Sequence, residues 1–410
     1  MKLSEELQWR GMIHSVTDEN VYNLLNAGKI SFYIGADATG SSFHIGNLAS
    51  IIVAKLLQKH GNTPYLLLGG ATTRIGDPKA TGERNMMSEE KIENNRSMLK
   101  KEAGRLIDCE IVNNYDWFKD IGYIDFLREV GKYFNIAYMI NKDTVKSRLE
   151  SGISYTEFSY QLIQAYDFAM LNKLHGITLQ IGGQDQWGNI TSGIEYVRKN
   201  DDYDCTLYGL TAPLILKSDG SKYGKSESGA IWLNKDQTSV YDFYQYFINI
   251  SDDDALMFLK RFTLLTPVEI ENIYEEFLKE PHKRLAQKTV AYEITKLVHG
   301  EEGVNSAIRI SDALFSSDLS NLSNEEIAMG FSDVYVGNVK SGEKVLDILV
   351  DNGLVKSKRE GREFIGNGAI AINGEKNTDL EQELDINSAI NGKYVLIKKG
   401  KKKYYLFEVR

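Results

Sequence analysis

The chain has 410 residues, and a content of 42% hydrophobic and 26% charged residues is typical of a globular protein with a substantial core. Because a single core rarely grows beyond about 250–300 residues, we expect two or three domains. The two cysteines, Cys109 and Cys205, lie far apart, which excludes a disulfide framework and a cysteine metal cluster.

No apolar run approaches the ~18 residues that span a bilayer, and the first residues lack the apolar segment of a signal peptide. We therefore expect a cytoplasmic protein with no membrane partner. The net charge is −9, but the last twenty residues hold seven basic residues and one acidic residue. Two interpretations of this tail stay open, a phosphate-binding surface and a solubilising tail.

The first part of the chain alternates short apolar runs with helical patterns. Residues 29–34 and 65–68 are predicted strands, and residues 43–60 between them have helical spacing of their apolar side chains. This βαβ unit predicts an α/β fold with a doubly wound, parallel, Rossmann-like sheet. Further strands are predicted at 109–112, 177–181, 213–216 and 230–233. Ligands of such sheets bind at the carboxyl ends of the strands.

Beyond residue 240 the pattern changes to consecutive helices, for example 284–298, which ends before Gly300. A stretch rich in Ser, Asn and Gly follows and is predicted to be a linker. The domain boundaries predicted in this way are 1–235, 236–318, a linker at 319–342, and 343–410.

The last of these domains is predicted to be a small α+β unit. A short helix at 344–352 precedes a second helix that a capping box of Ser357 and Glu360 opens. A strand at 369–372 then leads into Asn373-Gly374, which favours a hairpin turn.

The first motif that carries chemistry is Tyr33-Ile-Gly-Ala-Asp37 at a strand end, followed by His44-Ile-Gly-Asn47 in the first turn of a helix. A helix start presents free N–H groups to an anion, and the two glycines allow the backbone to approach a nucleotide closely. Taken alone, a histidine here is more often an ordinary surface or helix-start residue.

The second motif is Lys222-Tyr-Gly-Lys225-Ser226 in a polar loop. Two ammonium groups three residues apart can reach a polyphosphate, although an exposed basic loop is the better interpretation of the motif alone. Together, HIG followed about 180 residues later by KxxKS in a doubly wound sheet resembles the HIGH and KMSKS signatures of class I aminoacyl-tRNA synthetases.

The third motif lies on a predicted helix at 153–170, where Tyr160, Gln164 and Asp167 share one face. On pattern alone this stripe is equally consistent with a solvated helix face. The resemblance decides between the two, because the segments YIGAD, GGAT-x-x-IGDP, NNYDW, TEFSYQLIQAYDF, LQIGGQDQWGNI and KYGKS occur in this order in bacterial tyrosyl-tRNA synthetases. It runs through the whole chain.

The resemblance implies a tyrosine pocket. Tyr33 and Asp167 would bind the phenolic hydroxyl of L-tyrosine, with Asn114 and Trp117 supporting one side. The remaining residues of the pocket would be Asp77, Tyr160 and Gln164 at the α-ammonium group, and Gln180 and Gln186 along the wall. Phenylalanine would leave buried polar groups unpaired, and this family is itself the usual example of rejection of an analogue that lacks a hydroxyl.

The resemblance also implies the ATP site, with Mg²⁺ accompanying the nucleotide and no metal site built from side chains. The backbone around Asp37 would meet the α-phosphate, and Gly35 and Gly46 would let the backbone approach the nucleotide closely. The remaining residues implied at the nucleotide are Gly182, Gly183 and Asp185 at the ribose, with Asn47 and Ser50 nearby, and His44, Lys79, Arg84, Lys222, Lys225 and Ser226 at the β- and γ-phosphates. Asn47 replaces the second histidine of HIGH, and a short loop leaves the role of Lys79 open.

The resemblance further implies binding of the tRNA for tyrosine. The helical domain would approach the anticodon arm with Lys283, Arg284 and Lys288. The last domain resembles a small RNA-binding module of the ribosomal small subunit, with Lys356, Lys358, Arg359, Arg362, Lys401, Lys402 and Lys403 as its candidate phosphate contacts. A homodimer is implied as well, and the apolar stretch 121–140 is either part of its interface or buried core.

Two alternative functions stay open from the sequence. One is a related class I synthetase, tryptophanyl being similar in fold. The other is an RNA-binding or regulatory protein that descends from a synthetase and lacks catalysis. Both nucleotide motifs and the complete pocket argue against the second.

Overall fold

The computed structural model describes residues 1–410 except 79–81, 83–85, 151, 217–224, 227–228, 317, 332–333 and 401–402. The chain forms two compact units. The first consists of residues 1–238 and 246–298, and the second of residues 239–245 and 299–410.

The first unit contains a six-stranded sheet in the order β1-β6-β5-β2-β3-β4. All neighbouring strands are parallel except β1, which is antiparallel to β6. The strands are β1 (Ser15–Val16), β2 (Ser31–Asp37), β3 (Thr63–Gly69), β4 (Glu110–Asn113), β5 (Leu179–Gly183) and β6 (Tyr208–Ala212), and β7 (Lys225–Ser226) and β8 (Gly229–Ala230) form a separate two-stranded ribbon.

The helices of the first unit are α1 (Leu3–Trp9), α2 (Asn20–Ala27), α3 (Ile45–Lys59), α4 (Thr72–Ile75), α5 (Glu89–Leu106), α6 (Tyr115–Phe118), α7 (Tyr123–Glu129), α8 (Ile136–Ile140), α9 (Asp143–Lys146), α10 (Tyr155–His175), α11 (Trp187–Lys199), α13 (Asp252–Phe262) and α14 (Pro267–Lys279). Two further helices, α12 (Val240–Ile248) and α15 (Leu285–Ser316), contain residues of both units. No helix in the described part of the chain is both long enough and apolar enough to cross a bilayer.

The parallel core follows from the apolar runs of its central strands. In β3 the last four residues are all buried, and β2 pairs with it in register from Ser31–Thr63 to Asp37–Gly69. Such strands are covered on both faces, which is the normal situation in a parallel sheet. The predicted doubly wound α/β fold is therefore confirmed.

Helix α10 supplies a long rigid element beside the sheet. The Ser154 hydroxyl accepts a hydrogen bond from the Glu157 N–H at 3.2 Å, which caps the helix start. The helix ends at Gly176, which has the left-handed conformation (φ 65°) that glycine adopts without a steric penalty. At the start of the helix, Glu157 forms a buried ion pair with Arg148 at 3.2 Å.

Two predicted strands are wrong. The sheet uses Tyr208–Ala212 instead of 213–216, because the strand ends before Pro213, which has no backbone N–H to donate. Within 230–233, only Ala230 belongs to a strand, and Trp232 forms an isolated bridge with His44.

The helix predicted at 284–298 is longer than expected. It begins at Leu285, and helical residues continue to Ser316 across a break at Gly300, where φ is 80° and ψ is 175°. The predicted role of this glycine as an interruption is confirmed, but the chain resumes a helix directly after it.

The second unit contains a five-stranded sheet in the order β11-β10-β12-β13-β9. All its pairs are antiparallel except β13 with β9. Its elements are α16 (Asn324–Gly330), β9 (Tyr335–Val339), α17 (Val345–Asp351), α18 (Lys358–Gly366), β10 (Ile370–Ile372), β11 (Glu375–Asn377), β12 (Tyr394–Lys399) and β13 (Lys403–Val409). One core of this unit consists of apolar residues from α17, from α18 and from one face of the sheet.

The predicted hairpin turn of this unit is confirmed, whereas the predicted capping box forms only in part, because Glu360 accepts from the Lys356 N–H and not from the Ser357 N–H. Asn373 and Gly374 both have positive φ, at 49° and 90°, and connect β10 to β11. The Ser357 hydroxyl accepts from the Glu360 N–H at 3.3 Å, and the Glu360 carboxylate accepts from the Lys356 N–H at 2.6 Å. Residues 319–342, expected to be a linker, instead contribute α16 and β9, because β9 completes the edge of the sheet. The other domain boundaries stay predictions.

The end of α1 is anchored in the first unit by a buried arginine. The Arg10 side chain is buried, with an ion pair to Glu6 at 2.7 Å. It also donates hydrogen bonds to the carbonyl oxygens of Lys260 at 2.7 Å and Thr263 at 3.2 Å. Removing one partner of a buried ion pair leaves the other charge uncompensated, which costs about 3–5 kcal/mol.

We therefore expect Arg10→Met to lower the free energy of unfolding by about 3–5 kcal/mol in urea denaturation. Adding Glu6→Leu to this variant should recover part of the loss, since it removes the unpaired carboxylate. A loss below about 1 kcal/mol, the usual value for exposed ion pairs, would contradict the anchoring role.

Candidate active site

The carboxyl ends of three neighbouring strands define the site. The strands β2, β3 and β5 are parallel and adjacent, so Asp37, Gly69 and Gly183 at their ends lie along one edge of the sheet. Tyr33 lies earlier in β2, opposite Gln180 of β5. Three predicted site residues, Tyr33, Asp37 and Gln180, therefore belong to strands that end at this edge.

One face of α10 is turned toward this edge. The Tyr160 hydroxyl donates to the Asp37 carboxylate at 3.0 Å, and Gln164 Nε2 donates to Gln186 Oε1 at 3.3 Å. Tyr160, Gln164 and Asp167 are all buried. The interpretation of this stripe as a solvated face is therefore wrong, and all three side chains line a cavity at this edge of the sheet. Their role in binding stays a prediction.

The Asp167 carboxylate is fully buried and held in place by two donors. Asn114 Nδ2 donates to Oδ2 and Trp117 Nε1 donates to Oδ1, each at 2.9 Å. Burial raises the pKa of the Asp167 carboxyl to about 7, although both hydrogen bonds act to lower it. Asn114 is itself fixed, because its Oδ1 accepts from the Ala71 N–H at 2.6 Å.

The Tyr33 hydroxyl lies in the same region without a hydrogen-bond partner among the described residues. Its ring is fully buried and packs edge-on against Phe168, with centroids 5.3 Å apart. Burial, and then the negative charge of Asp167, raise the pKa of Tyr33 well above its ordinary value. A buried hydroxyl without a partner is costly, so this position is suited to a ligand that carries a polar group.

A cavity of about 350 Å³ joins these groups. The predicted residues that line it are Tyr33, Gly35, Asp37, His44, Asn47, Asp77, Tyr160, Gln164, Asp167, Gln180, Gly182, Asp185 and Gln186. Asp77 accepts from Gln186 Nε2 at 2.9 Å and from Asn189 Nδ2 at 3.3 Å. Asn114 is not among the residues that line this cavity, and it influences the site by its hydrogen bond to Asp167.

A second cavity, of about 370 Å³, adjoins the first. The predicted residues that line it are Gly35, His44, Gly46, Asn47, Ser50, Gly182, Gly183, Asp185 and Gln186. Most of these also line the first cavity, so the two spaces are continuous at the start of α3.

His44 is the N-cap of α3, one position before the helical turn in which the sequence placed it. The ring atom Nδ1 of His44 accepts from the Gly46 N–H at 3.0 Å, and the backbone N–H of His44 donates to Asn47 Oδ1 at 3.1 Å. A Cβ at Gly46 would lie 2.8 Å from His44 Cε1, so the glycine makes this return of the ring possible. Burial lowers the pKa of the His44 imidazole. A neutral ring that accepts at Nδ1 carries its proton at Nε2, where it can be donated.

The segment 231–233 holds the start of α3 and was not identified from the sequence. Ile45 N–H donates to the Ile231 carbonyl at 3.3 Å, and Leu233 N–H donates to the Phe43 carbonyl at 2.9 Å. The Trp232 and His44 rings contact edge to face, with centroids 6.2 Å apart. A lone tryptophan gives no sequence signal for this contact.

Several predicted site residues lie outside the described part of the chain. These are Lys79, Arg84, Lys222, Lys401 and Lys402, and for Lys225 and Ser226 the description covers the backbone strand β7 and not the side chains. In the second unit, Lys356, Lys358, Arg359, Arg362 and Lys403 are exposed. Lys358 forms an ion pair with Asp347 at 2.6 Å.

A parallel sheet with a polar pocket at its carboxyl edge and an HIGN helix start defines a class I aminoacyl-tRNA synthetase. The family model "tRNA synthetases class I (W and Y)" matches residues 25–316, and "Tyrosine--tRNA ligase SYY-like C-terminal domain" matches residues 326–407.

Two relatives match the chain over 99% of its length and 99% of their own. They are the tyrosine–tRNA ligases of Geobacillus stearothermophilus, 48% identical, and of Listeria monocytogenes, 46% identical. A solved structure, the C-terminally truncated mitochondrial tyrosyl-tRNA synthetase of Aspergillus nidulans, is 31% identical with a TM-score of 0.68. It covers 77% of this chain and 94% of its own. The chain belongs to the family of bacterial tyrosine–tRNA ligases, which the sequence motifs predicted.

The raised pKa of Asp167 has a consequence for stability. In the unfolded chain an aspartate releases its proton near pH 3.8, whereas in the folded chain this proton is held to about pH 7. The free energy of unfolding should therefore fall as the pH rises between these values and then level off. Urea denaturation from pH 5 to pH 8 should show a steeper fall for the wild type than for Asp167→Asn. Parallel profiles for the two proteins would contradict the raised pKa.

Proposed function

We propose that the chain activates L-tyrosine with ATP to form tyrosyl-adenylate and pyrophosphate, and then transfers tyrosine to the 3′-terminal adenosine of its tRNA. The unpaired hydroxyl of Tyr33 beside the buried Asp167 carboxylate is the observation that carries this proposal. The phenol of the substrate is both a donor and an acceptor, so it can donate to the Asp167 carboxylate and accept from the Tyr33 hydroxyl.

The first cavity would hold the amino acid. With the substrate phenol between Tyr33 and Asp167, its ammonium group would lie near Asp77, Tyr160 and Gln164. The Gln180 Oε1 atom has no partner among the described residues and is a further acceptor for that ammonium group. Gln186 would act indirectly, because it already donates to Asp77.

The second cavity would hold ATP. The proton on Nε2 of His44 is suited to a phosphate oxygen, and the nearby Asp37 backbone would meet the α-phosphate. Gly182, Gly183 and Asp185 would bind the ribose, and Gly35, Gly46, Asn47 and Ser50 would border the nucleotide. Lys222, Lys225, Ser226 and Arg84 would approach the leaving pyrophosphate, a role that rests on the sequence motif alone.

The chemistry needs positioning more than acid–base catalysis. The substrate carboxylate attacks the α-phosphorus, the bond to pyrophosphate breaks, and negative charge grows on the leaving group. Donors fixed before the reaction, such as His44, stabilise that charge without reorganisation. In the second step the adenosine hydroxyl attacks the mixed anhydride, and AMP leaves.

Mg²⁺ would enter with ATP. Among the described residues, no group of three or more histidine, cysteine or acidic side chains is arranged to hold a metal ion. Phosphate oxygens are the hard ligands that Mg²⁺ prefers, so the nucleotide itself fits this ion and would carry it.

The second unit would bind the tRNA backbone. Lys356, Lys358, Arg359 and Arg362 project from the start of α18, and β13 begins at Lys403. Exposed cations of this kind give affinity for phosphates that falls steeply with salt. Lys283 and Arg284, which precede α15, and Lys288 in its first turn are proposed to approach the anticodon arm. The division into a catalytic domain at 1–235, a helical domain at 236–318 and an RNA-binding domain at 343–410 is part of the same proposal, as is the cytoplasmic location.

The chain is proposed to act as a homodimer. Large apolar side chains are exposed in and just after the stretch 121–140, among them Ile124 with 71%, Ile136 with 65% and Tyr123 with 62% of their surface accessible. In the same stretch, Val130 and Met139 are buried, so the stretch contributes to both a core and an exposed surface. Exposed apolar residues grouped in this way favour a protein–protein contact.

Selection of tyrosine over phenylalanine tests the pocket. We expect Asp167→Ala and Tyr33→Phe each to reduce the ratio of kcat/KM for tyrosine to that for phenylalanine about 10- to 100-fold, because each removes a hydrogen-bonding group that only tyrosine uses. The measurement is amino-acid-dependent ATP–pyrophosphate exchange, with tryptophan as a further competitor. Asp116→Ala, which removes an exposed carboxylate next to Trp117, is the matched control. Undiminished selection in Asp167→Ala would overturn the pocket assignment.

The dimer contact is tested by charge insertion. Ile136→Asp should convert the protein to a monomer in sedimentation velocity, because a carboxylate at the centre of an apolar contact cannot be solvated there. Leu278→Asp is the control, since Leu278 is also exposed, at 58%, but lies on α14. A wild-type protein that sediments as a monomer, or an Ile136→Asp variant that remains a dimer, would exclude this contact.

A further inference from the structure

The second cavity extends beyond the part that it shares with the tyrosine cavity. Residues that line only the second cavity include Gly46 and Ser50 of α3 and, at a different part of the chain, Gly11, Met12, 213–215 and Arg261 of α13. The α-phosphate must lie in the shared part, where the tyrosine carboxylate can reach it. If the second cavity holds ATP, as proposed above, the unshared part is therefore the place for the base.

Arg261 is the charged residue among those that line only the second cavity. It makes no hydrogen bond or ion pair with any described residue, and burial lowers the pKa of its guanidinium. A partly buried cation without a partner is poorly compensated, so an acceptor supplied by a ligand gains more there than in water.

A structural role at the end of α13 does not account for Arg261. Basic residues in a last turn often donate to the final carbonyl groups of their helix. Here Arg10 already donates to the carbonyls of Lys260 and Thr263. The neighbouring Lys260 instead lies over the Trp9 ring, with Nζ 4.2 Å from the centroid.

The residues around the guanidinium are small or apolar. A Cβ at Gly11 would lie 3.0 Å from Nη2 of Arg261, so the absence of a side chain at Gly11 allows this close packing. Met12, Leu214 and Ile215 supply apolar walls. Apolar walls with one hydrogen-bond donor group are typical of a pocket for a heteroaromatic ring.

We propose that Arg261 contacts the adenine base of ATP, donating a hydrogen bond to one of its ring nitrogens, and that it determines nucleotide affinity in this enzyme. Guanidinium has N–H donors and no acceptor, so it matches the ring nitrogens of adenine and not its amino group. Arg261 is a binding residue in this proposal and takes no part in the chemical step.

The first test is Arg261→Met in tyrosine-dependent ATP–pyrophosphate exchange. The KM for ATP should rise about 10-fold or more, the usual effect of losing a hydrogen bond to a charged group. The KM for tyrosine and kcat should change less than about twofold, because the base does not react. Arg261→Lys should restore part of the affinity. Lys260→Met removes the same charge from the same turn and should leave the KM for ATP unchanged.

The second test identifies which ring nitrogen of adenine accepts the hydrogen bond from Arg261. One of 1-deaza-, 3-deaza- and 7-deaza-ATP should have a raised KM with the wild type, and this penalty should disappear in Arg261→Met. Equal penalties in both proteins, or an unchanged KM for ATP in Arg261→Met, would overturn the base contact. A raised KM for pyrophosphate in the reverse reaction would place Arg261 at the phosphates and would also overturn it. Absence of exchange in the wild type would instead refute the proposed function.

Discussion

The buried carboxylate of Asp167 is the group on which the arrangement of the site depends. A carboxylate removed from water is unfavourable unless donors surround it, and Asn114 and Trp117 supply two. These donors belong to the segment after β4, whereas the carboxylate belongs to α10. The two hydrogen bonds therefore fix α10 against the edge of the sheet. The raised pKa of Asp167 indicates that two donors compensate the burial only in part, and a phenol would supply the third.

The start of α3 depends on a second constraint, because its exposed backbone N–H groups must be satisfied or offered to a ligand. His44 and Asn47 use the Gly46 N–H and the His44 N–H in a reciprocal cap. The segment 231–233 then binds the backbone on both sides of His44. That segment lies a few residues after the motif that runs from Lys222 to Ser226. The two motifs, about 180 residues apart in the sequence, are thus joined by backbone hydrogen bonds through the residues that flank them.

Much of this fold could be predicted from periodicity and turn chemistry. The unit β2-α3-β3, the helix α10 and the Asn373-Gly374 hairpin follow from local patterns, because each has the apolar spacing or the turn residues that its conformation requires. The polar stripe on α10 could be predicted as a face, but its direction depended on resemblance. An isolated pattern does not reveal what lies opposite it.

The wrong predictions of a strand at 213–216 and of a linker at 319–342 have the same physical cause, namely contacts that are distant in the sequence. Most of the apolar run 213–216 lines a cavity, namely 213–215, and the true strand, Tyr208–Ala212, contains a glycine that a strand pattern does not favour. A Cβ at Gly209 would lie 2.4 Å from Cγ2 of Ile190, so close packing of α11 on the sheet requires this glycine. Residues 335–339 resemble a linker in composition, and only pairing with β13 makes them a strand. In each case a tertiary contact overrides the local preference.

Two polar side chains at the cavities share one property, which is that the described part of the folded chain gives them no hydrogen-bond partner. The Tyr33 hydroxyl and the Arg261 guanidinium lack hydrogen-bond partners among the described residues, and both face the continuous space formed by the two cavities. Each lowers the stability of the empty protein, and each is compensated when a ligand supplies the missing partner. Because a ligand that binds only the folded state stabilises it by mass action, tyrosine and ATP should act as parts of the fold as well as substrates. Selectivity and instability of the empty site then have the same origin, namely polar groups buried in the absence of their partners.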